Sequence, residues 1–215
     1  RGKPEVAIGE FYFNSESENI VESKSLKLYL NSLNQERYKS AEAVRSIIEQ
    51  DLSTISRSEV KVMLHALDEI EIDPLGGRAG RSIDNLDIEI EIHQPDAQLL
   101  ELESEEVDDE VLHSDLFRSN CPVTGQPDWA SVELRYTGKK IDESSLLKYL
   151  ISFREHQGYH EECAERIFRD IMLRCQPSEL RVGMNFVRRG GLDINVYRAT
   201  TPVTSDSVNS RLIRQ

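Results

Sequence analysis

A chain of 215 residues, 38% of them hydrophobic, can bury a core as one large domain or as two modules of about 100 residues each, which excludes a disordered chain. Lys+Arg 26 against Asp+Glu 39 leaves a net charge of -13, which excludes a protein that grips nucleic acid mainly by neutralising phosphates and favours a small ligand. No apolar run is long enough to span a membrane and no charged-then-apolar leader opens the chain. The three cysteines form no CxxC and leave an odd thiol, so a reducing, cytoplasmic setting is expected.

In chain order, Glu5–Phe13 has the aliphatic and aromatic content of a strand, and the polar run Asn14–Asn19 ends it. Helices are predicted over Ser25–Leu33 and Ala41–Leu52, the second with Val44, Ile47, Ile48 and Leu52 on one face. Glu59–Leu67 reads as a strand, Asp73–Gly80 as a loop, and Leu86–Ile92, LDIEIEI, as a strand alternating between apolar and acidic residues. The run Glu101–Glu110, ELESEEVDDE, reads as a solvated connector. Beyond it come a strand at Ala130–Tyr136, a turn at Thr137-Gly138, helices at Ser144–Phe153 and His160–Arg174, and strands at Leu180–Val187 and Leu192–Tyr197 around a hairpin loop at Arg188–Gly191.

The helix starts at Glu22 and Glu143 resemble one another, ESKSLKLYL against ESSLLKYL, which points to an internal duplication. Each copy reads strand, helix, helix, strand, strand. The expected division is a first module over 1–100, an acidic connector over 101–115 and a second module over 116–215, both α+β with an antiparallel sheet and paired helices on one face. The first copy is expected to lack an opening strand that Phe117–Val123 supplies in the second.

Ser119–Ser131, SNCPVTGQPDWAS, sets Cys121 and Asp128 seven residues apart across a segment punctuated by Pro and Gly. Nucleophilic use of Cys121 requires a thiolate, and Asp128 could exchange the proton if burial raises its pKa. A buried cysteine and a turn-capping aspartate explain the same spacing without chemistry. His160-Glu161 opens a helix, where a carboxylate could grip a donor-rich ligand edge or simply cap. His160 and Cys163, spaced i, i+3, could join Cys121 in a zinc site, although no second spaced pair accompanies them. Free N–H groups at the first helix start, with Lys24 and Lys27, and Arg188-Arg189-Gly190-Gly191 could each receive phosphate.

Four pieces in order, ESKSLKLYLNS (22–32), SNCPVTGQPDW (119–129), HEECAERIF (160–168) and RRGGLDIN (188–195), resemble the 7-cyano-7-deazaguanine reductases (QueF family) in their longer, two-module form. The resemblance runs over essentially the whole chain. It implies the tunnelling fold (T-fold) and the NADPH-dependent reduction of a nitrile to an aminomethyl group on a 7-deazapurine, in queuosine biosynthesis. It further implies that Cys121 attacks the nitrile carbon to give a covalent thioimide, with Asp128 as proton donor and His160 handling protons. Substrate binding falls by resemblance on Val21, Glu22, Ser23, His160 and Glu161, and NADPH binding on Ser23, Lys24, Lys27, Arg189 and Gly190. A homodimer is expected, with no metal, no direct nucleic-acid partner and no membrane. The site is expected to form where the modules meet. The competing readings are a zinc-dependent cyclohydrolase of the same fold and a non-catalytic purine-binding module.

Overall fold

The aliphatic and aromatic run near the N-terminus forms the expected strand, β1 (Ala7–Phe13). In this computed structural model the structure describes residues 5–34, 36–67, 79–204, 212 and 215, which divide into two units, Arg1–Pro74 and Leu75–Gln215.

In the first unit, β1 leads to helix α1 (Ser23–Leu33), helix α2 (Ala41–Ser56) and strand β2 (Val60–Ala66). β1 and β2 pair antiparallel from Ala7↔Ala66 to Phe13↔Val60. α1 starts where Glu22 accepts from the Lys24 and Ser25 N–H groups at 3.0 and 2.8 Å, and α2 where Ser40 accepts from the Ala43 N–H at 3.2 Å. Leu26, Ile48, Leu52, Val60 and Val62 are buried together. Ile47, expected on that face, is 38% exposed, because the apolar stripe of α2 is narrower than the four residues suggested. The outward edge of β2 is closed by α2, since the Val60 N–H donates to Ser53 Oγ at 3.0 Å and the Val62 N–H to Glu49 Oε1 at 2.9 Å.

The second unit holds strands β3 (Arg81–Ser82), β4 (Leu102–Ser114), β5 (Arg118–Asn120) and β6 (Pro127–Ile141), helices α3 (Glu143–Ile151) and α4 (His160–Cys175), and strands β7 (Glu179–Phe186) and β8 (Asn195–Ala199). Its sheet runs β3-β4-β6-β7-β8, antiparallel except for the β3–β4 pair, and β5 pairs with the start of β6. α4 turns Cys163, Ala164, Ile167 and Ile171 into a core shared with Phe117, Leu146, Phe153, Val182 and Met184. Phe168, on the same helix, is only partly buried.

Three expectations are corrected here. The acidic run is not a connector: it lies in β4, hydrogen-bonded to β6, and the division between units comes earlier, at Pro74/Leu75. Its charge is met across the sheet, where Lys140 pairs with Glu103 at 3.1 Å, Arg135 with Asp109, and Arg81 with Glu110 at 3.1 Å. The alternating segment Leu86–Ile92 belongs to the second unit and has no ladder partner among the described residues. Leu86 and Ile88 still pack on the core, so the alternation recorded burial rather than pairing. Thr137-Gly138 is not a reversal, for β6 continues through it to Ile141. There the register against β4 shifts between Val107 and Glu110, Asp109 takes φ 54° and Gly138 φ 152°. A side chain at Gly138 would stand 3.0 Å from the Pro177 backbone, so the glycine marks a bulge.

The duplicated order survives as strand, helix, helix, strand, β1-α1-α2-β2 in one unit and β6-α3-α4-β7 in the other. The architecture is α+β with antiparallel sheets, as expected. The loop expected over 73–80 falls mostly outside the described residues, as does most of the tail beyond 204.

Candidate active site

Cys121 sits in the loop that joins β5 to β6, and this loop is closed by its own backbone. The Cys121 N–H donates to the Gln126 carbonyl at 2.8 Å, and the Gly125 N–H donates back to the Cys121 carbonyl at 2.8 Å. The register that follows puts Arg118 opposite Trp129, Ser119 opposite Asp128 and Asn120 opposite Pro127. The seven-residue spacing therefore delivers Asp128 to the paired base of a short hairpin. From the other side β5 is anchored to the start of α4: the Asn120 N–H donates to the His156 carbonyl at 2.8 Å and the Gly158 N–H to the Asn120 carbonyl at 3.2 Å. These two bonds fix His160 against the hairpin.

Asp128 is 7% exposed, with His160 Nε2 3.3 Å from its Oδ2 and Arg189 Nη1 donating to its Oδ1 at 3.0 Å. Burial alone would raise its pKa, as the sequence reading supposed. The hydrogen bond and charge of His160 and the charge and hydrogen bond of Arg189 outweigh it, so Asp128 is held below the usual carboxylate value. That reverses the expected direction. The His160 ring stacks on Phe186 at 3.8 Å between centroids and 20° between planes, and Phe186 meets Phe117 edge-on at 6.3 Å. The imidazole is thereby braced from the core side.

Cys121 is 9% exposed. Burial opposes its ionisation, as does the charge of Asp128, but hydrogen bonds from the Thr124 hydroxyl and from the Thr124 and Val123 N–H groups prevail and lower the thiol pKa. The other two cysteines differ. Burial pushes Cys163 up to about 12 and Cys175 up to about 11. Cys163, the third member of the zinc alternative, is fully buried in the core, its thiol bonded to Ser119.

Arg189 reaches this turn from the hairpin between β7 and β8. Its N–H donates to the Leu192 carbonyl at 3.0 Å, the Leu192 N–H returns the bond at 3.3 Å, and Gly190 and Gly191 between them take φ 63° and 88°. A two-residue reversal with both central residues at positive φ asks for two glycines. Arg188, next to it, is committed to Asp193 through a two-pronged ion pair at 2.9 and 2.8 Å. Of the two arginines, only Arg189 turns toward Asp128.

Glu161 follows His160 in the first turn of α4, but the capping acceptor there is Glu162, whose carboxylate takes the Tyr159 N–H at 3.3 Å. Val21, Glu22, Ser23, Lys24 and Lys27 belong to the first unit. Val21 packs against that unit's core, and Glu22 is the α1 cap, its carboxylate also accepting from the Ser25 hydroxyl at 3.0 Å. Burial works against its charge, and these bonds nonetheless lower its pKa. The Lys24 and Ser25 N–H groups, expected to be open to phosphate, are taken by Glu22. The structure thus gathers Cys121, Asp128, His160, Arg189 and Gly190 in the second unit. Thr124, Gln126 and Phe186, which sequence reading did not single out, stand among them. Thr124 and Gln126 lay within the motif itself, whereas Phe186 looked like one more apolar strand residue.

Comparison with known proteins bears on what this arrangement does. The family described as "Nitrile reductase, 7-cyano-7-deazaguanine-reductase N-term" matches residues 1–64, and "QueF-like protein" matches residues 127–204. An NADPH-dependent 7-cyano-7-deazaguanine reductase of Desulfotalea psychrophila is 51% identical over 217 residues, covering 100% of this chain and 78% of that protein. One of the same description from Burkholderia multivorans is 50% identical over 202 residues, covering 92% and 73%.

Proposed function

The chain belongs to the NADPH-dependent 7-cyano-7-deazaguanine reductases, and from that premise we propose that Cys121 is the nucleophile with which it acts on its substrate. It is an oxidoreductase that converts the nitrile of 7-cyano-7-deazaguanine to the aminomethyl group of 7-aminomethyl-7-deazaguanine, in queuosine biosynthesis. The observation that most supports the role of Cys121 is its thiol, lowered in pKa by Thr124 and two backbone N–H groups, in a hairpin whose other strand carries Asp128.

A nitrile accepts hydride poorly, whereas a thioimide protonated on nitrogen is a good electrophile. Attack of Cys121 Sγ on the nitrile carbon makes an S–C bond while one C≡N π pair moves to nitrogen, and nothing leaves. The proton that departs the thiol is the proton that the nitrogen needs. Asp128 and His160 are the pair between which it is held, and Asp128, ionised beforehand by His160 and Arg189, takes the proton as a base before returning it as an acid. Asp128 as proton donor and His160 as a proton-handling group, the roles the resemblance implies, are proposed to act here as one pair.

NADPH supplies hydride when bound. The residues present fit such a group: the tip of the β7–β8 hairpin is open, with no atom within 4 Å of where a Gly191 side chain would begin, and a guanidinium offers five donors. Arg189 and Gly190 with Ser23, Lys24 and Lys27 are the residues proposed to hold it. Val21, Glu22, Ser23, His160 and Glu161 are proposed to hold the deazapurine. A homodimer and a cytoplasmic location complete the proposal, and the net charge of -13 speaks against nucleic acid as a direct partner. No described helix is long and apolar enough to cross a membrane.

The test is NADPH consumption in the presence of 7-cyano-7-deazaguanine, followed with amine formation. Two NADPH consumed per amine formed, and none without nitrile, is the expected result; oxidation that does not depend on the nitrile would contradict it.

A further inference from the structure

Arg189 does more at the turn than one ion pair explains. Nη1 donates to Asp128 Oδ1 at 3.0 Å, while Nη2 donates to Thr124 Oγ1 at 3.2 Å and to Gln126 Oε1. The three acceptors are alternate residues of the Cys121–Asp128 segment, so one rigid planar fork from a different hairpin spans the whole turn. Its own position is fixed by the two backbone bonds between Arg189 and Leu192.

The bond to Thr124 has a chemical consequence. A threonine hydroxyl has one proton to give. Where Oγ1 accepts from a guanidinium, the arginine occupies acceptor capacity and leaves the hydroxyl proton for Cys121, which opens the same turn and whose carbonyl accepts from the Gly125 N–H at 2.8 Å. A neutral hydroxyl polarised by a cation behind it is a better donor to a thiolate than the same hydroxyl alone. The other arm keeps Asp128 in its charged form and at its distance from His160. Gln126, held by the same Nη2, is the residue whose carbonyl receives the Cys121 N–H at 2.8 Å.

We propose that Arg189 is a positioning residue that sets Thr124 as the hydroxyl donor to Cys121 and Asp128 as its proton acceptor, beyond any contact it makes with NADPH. The proposal rests on the reading of Cys121 as the nucleophile. It assigns Thr124 a role in the reaction as the group that stabilises the attacking sulfur.

The experiment is the pH dependence of Cys121 alkylation by iodoacetamide in the full chain, read by peptide mass, with neither NADPH nor nitrile present. Thr124→Val should move the midpoint upward, slowing alkylation at neutral pH about tenfold for each unit moved, while Thr124→Ser stays near the parent. Arg189→Gln should move it the same way. Arg189→Lys keeps a charge but cannot span three acceptors, so it should behave like Arg189→Gln, and it stands in if that variant does not fold. An unmoved midpoint in Thr124→Val overturns the role of Thr124. A shift in Thr124→Val with none in Arg189→Gln, or full recovery in Arg189→Lys, overturns the positioning role of Arg189. Because alkylation needs no nitrile, a shifted midpoint in a protein that forms no nitrile adduct would separate failure of the reductase mechanism from failure of this proposal.

Discussion

Asp128 Oδ2 and His160 Nε2 stand 3.3 Å apart, one at the start of β6 and the other at the first residue of α4, and the His156–Gly158 segment bonded to Asn120 sets that separation. If the pair carries the proton between thiol and nitrile, Asp128→Asn keeps the shape and removes the base. Steady-state kinetics should then show kcat/KM lower by about 10²- to 10⁴-fold. A value within a few fold of the parent would mean that the proton travels by another route.

The same carboxylate links folding to acid. Burial raises the Asp128 pKa, but His160 and Arg189 more than reverse this, so the folded value lies below the unfolded one. A depressed carboxylate contributes stability that is fully present above its unfolded pKa, about 3.9, and is lost as pH falls through the folded pKa. Urea midpoints compared at neutral pH and in the acid range below that value should fall more steeply in the parent than in Asp128→Asn.

Much of this was legible in the sequence, and the parts that were not share a cause. The helix starts at Ser23 and His160 and the hairpin at Gly190-Gly191 are local events, fixed by caps and by backbone conformations that glycine alone takes easily. The acidic run in β4 misled because its charges are met by Lys140, Arg135 and Arg81, which are distant in sequence. Leu86–Ile92 misled because alternation reports which side chains are buried and says nothing of whether a neighbouring strand is there. Cys121 and Asp128 were visible as a pair, but the direction of the Asp128 pKa depended on His160 and on Arg189, the latter 61 residues away.

Gly138 carries a conformational demand inside a strand. With φ 152° and the Pro177 backbone 3.0 Å from where a side chain would start, Gly138→Val should lower stability by about 1–3 kcal/mol. Equilibrium urea unfolding would show it, and a ΔΔG near zero would mean that the bulge is not held as described.

Cys163 tests the separation of the thiols. It is fully buried in the α4 core with its pKa pushed up to about 12. Cys163→Ala should cost on the order of 1 kcal/mol in stability and leave kcat/KM near that of the parent, whereas a zinc-dependent reaction through Cys163 requires activity to collapse.

Covalent capture of the substrate tests the central claim most directly. Protein mixed with 7-cyano-7-deazaguanine in the absence of NADPH should gain the full mass of the nitrile, because thioimide formation is an addition with no leaving group. The added mass should map to Cys121 and be absent from Cys121→Ala. An unmodified parent at saturating nitrile, or an adduct that survives in Cys121→Ala, would contradict the assignment of Cys121 as the nucleophile.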